Sequence, residues 1–269
     1  MAGHPSDTWA SGEAYEPYVG RWSRRVADEF VQWLSVSADK RWLDVGCGTG
    51  SLTEAVLDLA EPAGVLGVDP SAGYISYVRR RIEDGRASFE LGSALSLPAE
   101  DRSCDAVVSG LVLNFVPDVA RAVAEMMRVA APGGIVGAYV WDYAGQMQLM
   151  RYFWDAAVAL DPSAHNLDEG VRFQLCRPEP LRELFRGAGL VDVQVQAIDV
   201  PTVFRDFDDY WEPFLGGQGP APGYAMSLAE ERRSALSRRI HSALPIAEDG
   251  RIYLTARAWA VKGRRTTVR

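Results

Sequence analysis

The chain has 269 residues, 48% of them hydrophobic, and carries 28 Lys and Arg against 36 Asp and Glu, for a formal net charge of -8. That balance gives no general attraction to phosphate backbones and disfavours a DNA or RNA substrate, while the length suffices for one large core. Cysteines at 47, 104 and 176 form no C-x-x-C pair, the longest apolar run (106–116) is too short for a bilayer, and residues 1–9 hold no apolar signal core; the expectation is a reduced, cytoplasmic protein with no membrane partner.

Taken in chain order, Val19, Trp22, Val26, Phe30 and Trp33 recur every three or four residues, which predicts an amphipathic helix over 15–34. Strand 41–45, helix 51–60, strand 65–69, helix 71–84, strand 87–91, strand 104–109, helix 118–130 and strand 135–141 follow. Alternation of this kind implies a parallel sheet. Beyond Trp141 the rhythm breaks into a helix over 147–160, a polar loop over 161–170 and a helix over 179–188 stopped by Gly189. Residues 191–200 alternate at period two, and so do 251–261, with Ile252, Leu254, Ala256, Ala258 and Ala260 on one face and Tyr253 and Trp259 on the other. Between them lie about 50 residues, the length of a lid or binding insertion. The arginine clusters 79–81, 232–233 and 238–239 read as solvated helix faces.

The densest signal is Leu43-Asp44-Val45-Gly46-Cys47-Gly48-Thr49-Gly50, a strand that turns through three glycines into a helix, followed by a strand delivering Asp69. Glycine permits positive φ and close approach of a ligand to backbone. An acid about 20 residues after such a loop is placed to accept from both ribose hydroxyls. A dinucleotide site reads G-x-G-x-x-G; this loop reads G-x-G-x-G, which argues against a nicotinamide oxidoreductase.

With Leu91-Gly92-Ser93-Ala94-Leu95-Ser96-Leu97-Pro98, Cys104-Asp105-Ala106-Val107-Val108-Ser109 and Met127-Arg128-Val129-Ala130-Ala131-Pro132-Gly133-Gly134, the loop and Asp69 resemble the class I S-adenosylmethionine-dependent methyltransferases, in the small-molecule branch that includes ubiquinone and menaquinone biosynthesis enzymes. The resemblance covers roughly residues 40–142. It implies a Rossmann-like α/β fold: a doubly wound, mostly parallel sheet with an antiparallel terminal hairpin and helices on both faces. It also implies a single domain over 1–269, with an N-terminal lid helix at 12–34, a cofactor core at 40–142 and acceptor-side insertions at about 143–178 and 201–250.

For the cofactor, S-adenosylmethionine, the resemblance implies contacts from Asp44, Gly46, Cys47 and Gly48 to the methionine portion, from Asp69 to the ribose and from Pro70 beside the adenine. Ser93, Ala94 and Leu95 fall where the adenine amino group is met, with Ser93 standing where the family often has an acid. Ser109, Gly110 and Leu111 follow strand four. Tyr15, Tyr18 and Trp22 share one helical face, and Tyr15 and Tyr18 suit a lid whose π faces favour a sulfonium; Arg21 is a partner for the cofactor carboxylate. Cys47 reads as a small side chain in a tight turn.

On the acceptor side stand Asn114, Trp141 and Tyr143. Where the family often carries a histidine pair, the chain reads Val112-Leu113-Asn114-Phe115, with no general base. Met147, Met150, Phe153 and Trp154 are either pocket or core, with core favoured; His165 lies in a polar loop, where solvent exposure is favoured over a role as general base; Asp206, Asp208 and Asp209 either attract a cationic acceptor or form a solvated helix start, with the helix start favoured. The reaction implied is in-line methyl transfer to a small, partly apolar metabolite, in which the protein positions and desolvates the partners. A non-catalytic S-adenosylmethionine-binding protein or regulatory subunit is the alternative. No metal is expected.

Overall fold

In a computed structural model, the structure describes residues 20–216 and 219–267. Tyr15, Tyr18 and the first part of the expected lid helix lie outside them. The elements in order are α1 (Arg21–Leu34), β1 (Arg41–Val45), α2 (Ser51–Leu59), β2 (Gly64–Asp69), α3 (Ala72–Arg81), β3 (Ala87–Leu91), β4 (Cys104–Gly110), a 3₁₀ turn (Leu113–Phe115), α4 (Val119–Val129) and β5 (Ala130–Trp141). Then come α5 (Gln148–Leu160), a 3₁₀ helix (Pro162–Leu167), α6 (Glu169–Arg172), α7 (Pro178–Gly187), β6 (Val191–Phe204), α8 (Phe207–Trp211), a 3₁₀ helix (Glu212–Gly216), α9 (Pro220–Ser227), α10 (Glu230–Ala243) and β7 (Ile252–Arg264).

The strands form a seven-stranded sheet in the order β3-β2-β1-β4-β5-β7-β6. β1 pairs in parallel with β2 and β4, β2 with β3, and β4 with β5. β7 and β6 form the antiparallel hairpin, so the expected Rossmann-like class is the observed one. β5 starts five residues earlier than its apolar run, because Ala130 already pairs with Cys104 before a register shift brings Ile135 opposite Ala106. The alternation in β7 holds: Ile252, Ala256, Ala258 and Ala260 are fully buried and Tyr253 is exposed.

The chain divides into two compact units, one comprising 1–22, 141–174 and 199–257, the other 23–140, 175–198 and 258–269. The second unit's core is made by Leu43, Val45, Val107, Val108 and Val136 of the strands against Val26 and Phe30 of α1 and Met126 of α4, all wholly buried. Each such side chain contributes about 1.5–3 kcal/mol. Phe30 lies 4.8 Å from the Tyr139 ring.

The first unit is aromatic. Phe153 stacks on Phe214 at 4.6 Å, and Tyr210 donates its hydroxyl to the Leu149 carbonyl at 2.8 Å. Met147, Met150, Phe153 and Trp154 are core. Residues 161–170, expected to be a polar loop, are instead the 3₁₀ helix and the start of α6. Asp161 accepts from the Ser163 N–H at 3.0 Å and Asp168 from the Gly170 N–H at 2.8 Å, so two caps organise the stretch. Beside them Glu169 is buried and accepts from the Trp154 indole, and burial lifts its carboxyl to about 7.

Its folded pKa stands above the unfolded one, so the cost of burying this carboxylate is absent below about pH 4.5 and complete above about pH 7. Glu169→Gln, which keeps an acceptor for Trp154, is expected to stabilise the protein by roughly 1–3 kcal/mol at pH 8 and to be neutral at pH 4.5, read by denaturant unfolding at both values.

Candidate active site

The glycine loop lies entirely within the second unit. Gly46, Gly48 and Gly50 have φ of +76, +51 and +90°. The N–H groups of Gly46 and Cys47 both donate to the Val68 carbonyl, at 2.7 and 3.0 Å, which bends the chain sharply at the end of β1. A Cβ on Gly46 would lie 2.5 Å from Val112 Cγ2 and one on Gly50 2.6 Å from Val78 Cγ2, whereas one on Gly48 would meet nothing nearer than the Gly46 carbonyl at 3.9 Å. Packing therefore demands the outer glycines, and the space before Gly48 is open. The Cys47 side chain turns the other way, into a buried cluster with Ile75, Val78 and Phe89, and burial pushes its thiol up. Its backbone alone is left to meet a ligand.

Asp69 ends β2 nearly buried, at 7% exposure. Its Oδ2 accepts from the Gly48 N–H at 3.1 Å and its Oδ1 from the Ser71 N–H at 2.8 Å, so one carboxylate ties the glycine loop to the strand end and keeps lone pairs for a further donor. Desolvation raises its pKa, against these two hydrogen bonds. Ser71 itself caps α3, accepting from the Tyr74 N–H at 3.3 Å.

Asp44, in β1 just before the glycine loop, is wholly buried. Its Oδ2 accepts from Thr53 Oγ1 at 2.7 Å, while Oδ1 is buried with no partner among the described residues. Ser51 Oγ, at the head of α2, is in the same condition. Gly50 gives α2 no side-chain cap; the Thr53 N–H is turned to Asp44, which leaves the Ser51 and Leu52 N–H groups for an anion.

A buried carboxylate oxygen, a hydroxyl beside a bare helix N-terminus, an open glycine and a strand-end acid form a donor and acceptor set. They match a zwitterionic amino-acid tail joined to a ribose, and the residues present fit S-adenosylmethionine. Asp44 would face its ammonium group, Ser51 and the start of α2 its carboxylate, and Asp69 the ribose.

Burial first, and the nearby Asp69 charge, raise Asp44 to about 7 against the pull of the Thr53 hydroxyl. Below that pH the free protein holds a proton on Asp44, which an ammonium group docking there would have to expel. Affinity for S-adenosylhomocysteine is accordingly expected to rise with pH through about 6 to 7 and to flatten above about 8, with proton release near pH 6 visible as buffer-dependent heats in calorimetry. Equal heats in buffers of different ionisation enthalpy would mean that Asp44 only ties the loop to Thr53.

The other expected residues take up varied positions. Ser93 starts a tight turn after β3 and accepts from the Leu95 N–H at 3.2 Å, with Ala94 at the turn's crest; Pro70 is exposed. Arg128 holds the following segment to α4 by donating to the Leu97 and Ala99 carbonyls at 3.1 and 3.0 Å. Ser109 is fully buried and donates to the Val45 carbonyl at 2.8 Å, joining β4 to β1. A Cβ on Gly110 would strike the Tyr139 hydroxyl at 2.5 Å. Leu111 adopts φ +60° with its N–H donating to the Tyr139 carbonyl at 2.8 Å.

Two arginines expected on a solvated face do more than that. Arg79 donates through Nε to the Phe89 carbonyl at 3.2 Å, and Arg81 reaches the Thr49 carbonyl at 2.6 Å. Arg81 thereby braces the glycine loop from α3. Their partners are 10 and 32 residues away in sequence, so helical spacing carries no sign of them.

In the first unit, Arg21 pairs with Asp209 at 3.1 Å and lies over the rings of Trp22 and Phe204 at 4.5 and 4.9 Å. Trp141 and Tyr143 are buried, with Tyr143 5.6 Å from Phe173. His165 is exposed. Asp206 caps α8, accepting from the Asp209 N–H at 2.8 Å.

Residues 43–138 match a family model described as a methyltransferase domain. Demethylmenaquinone methyltransferase of Roseiflexus sp. (strain RS-1) is 32% identical over 214 residues, spanning 67% of this chain and 88% of that protein. The chain belongs to the class I S-adenosylmethionine-dependent methyltransferases. An uncharacterized 37.1 kDa protein in transposon TN4556 of Streptomyces fradiae is 33% identical over 199 residues, but there the chain spans only 55% of the relative's length. Among solved structures, phosphoethanolamine N-methyltransferase 2 of Haemonchus contortus, in complex with phosphomonomethylethanolamine and S-adenosylhomocysteine, superposes with a TM-score of 0.60 at 17% identity, covering 94% of this chain and 56% of that one. At that identity the likeness shows a shared fold. No helix of this methyltransferase, among the described residues, is long and apolar enough to cross a membrane.

Proposed function

We propose that this methyltransferase transfers a methyl group in line to a small, partly apolar metabolite. The observation that carries the reading is the junction of the Gly48 N–H with Asp69, because one carboxylate there fixes the loop and presents acceptors to a ribose. When bound, S-adenosylmethionine supplies an electrophilic methyl on sulfonium. The chain's part is to hold that group through Asp44, Gly46, Cys47, Gly48 and Asp69, with Pro70 and the Ser93-Ala94-Leu95 turn at the adenine. Gly110 and Leu111 border the methyl end, Asn114 meets the acceptor, and exclusion of water strengthens each charge interaction.

The relative named as a demethylmenaquinone methyltransferase supports a partly apolar acceptor. The net charge of -8 supports a small molecule over nucleic acid. The proposal includes a cytoplasmic setting, supported by Cys47, Cys104 and Cys176 being buried thiols outside any disulfide.

The test is radiolabelled methyl transfer from S-adenosylmethionine across a panel of hydroxylated aromatics, amines and activated carbon acids. Turnover on at least one, lost in Asp69→Ala, is the expected result. Tight cofactor binding with no transfer to any acceptor would instead support the binding-protein alternative.

A further inference from the structure

The Asn114 amide nitrogen, Nδ2, is buried and makes no hydrogen bond within the described fold. An amide donor left in that state costs stability, and such groups persist where a ligand completes them. Asn114 sits in the 3₁₀ turn that leaves β4, just past Leu111, whose φ of +60° is a strained value for a branched side chain. Val112, which opens the turn, packs where a Gly46 Cβ would go, 2.5 Å from Cγ2. At three residues per turn, positions 112 and 114 point about 120° apart, so Asn114 does not share the face that abuts the glycine loop.

Resting on the methyltransferase reading above, we infer that Asn114 is a specificity-determining residue whose amide N–H takes an oxygen of the methyl acceptor, so that the acceptor is a hydroxyl- or carbonyl-bearing compound and not a cationic amine. The chemistry of the donor carries the distinction. An amide N–H needs a lone pair; a phenol, phenolate or carbonyl oxygen offers one, and an ammonium group offers three donors and none. A carboxylate of the cofactor would satisfy the same atom, but Ser51 Oγ and the uncapped start of α2 already lie at the loop for that purpose.

The test uses Asn114→Leu, similar in size and apolar, with three probes of one shape on the protein saturated with S-adenosylhomocysteine: 1-naphthol, 1-methylnaphthalene and 1-naphthylmethylamine. The wild type is expected to bind 1-naphthol at least about tenfold more tightly than either other probe, and the variant to lose that preference. The variant is also expected to keep its S-adenosylhomocysteine affinity within about twofold and, relieved of an unsatisfied donor, to melt roughly 2–4 °C higher. A purely structural asparagine would give the opposite sign in melting.

Lower stability of the variant, loss of its cofactor-product binding, or no preference among the probes would each overturn the inference. Failure of the wild type itself to bind S-adenosylhomocysteine is a separate result, and removes the reading on which it rests.

Discussion

Asp69→Ala is expected to weaken S-adenosylhomocysteine binding about 100-fold, or about 2.7 kcal/mol. Hydrogen bonds to an ionised group are worth about 1.5–3 kcal/mol each, and under the proposed cofactor site the substitution removes the acceptor for two ribose hydroxyls. It also releases the Gly48 and Ser71 N–H groups, held at 3.1 and 2.8 Å, so the loop loses its tie to β2. Part of that structural cost is returned, because desolvation already strains the carboxylate. Asp69→Asn separates the two contributions: it retains one acceptor and the side chain's shape, and recovers roughly tenfold of the lost affinity. Calorimetric titration of the three proteins reads the series, and equal affinities across it would remove Asp69 from the cofactor site.

Gly46→Ala is expected to cost about 3 kcal/mol, lowering the melting midpoint by roughly 10 °C. The residue holds φ +76°, and a methyl there would stand 2.5 and 2.7 Å from the two Val112 methyls. Left-handed backbone accounts for about 1–2 kcal/mol and the collision for the rest. Gly48→Ala makes the control. Its φ is +51° and its Cβ would meet only the Gly46 carbonyl, at an unstrained 3.9 Å, so the loss of stability stays near 1 kcal/mol while ligand affinity falls by about tenfold or more. Val112→Ala placed in the Gly46→Ala background should restore part of the stability by vacating the contested volume. Similar melting losses for Gly46→Ala and Gly48→Ala would contradict the assignment of packing to one and ligand access to the other.

Much of this was legible before any coordinate. β1 and β3 occupy 41–45 and 87–91 as expected: β1 is a buried parallel strand that shows itself as an apolar run bounded by turn residues, whereas β3 is an edge strand with only Phe89 buried. The glycine loop and Asp69 were legible because φ and close approach restrict the residue type. What stayed hidden depends on partners remote in sequence. Glu169 reads as a loop acid, and only the fold brings the Trp154 indole to it. Arg81 reads as surface charge until Thr49 appears opposite. Arg21 reads as a partner for a ligand carboxylate, and in the structure a carboxylate 188 residues on, Asp209, takes it. The capping signals of residues 161–170, Asp161 before Pro162 and Asp168 before Glu169, were present in the sequence and would have identified the short helices there.

The measurement that bears most directly on the whole account is calorimetric titration of the wild-type chain with S-adenosylhomocysteine, run beside NAD under the same conditions. The account predicts saturable one-to-one binding of the first and none of the second. Binding of NAD, or of neither ligand, would contradict it.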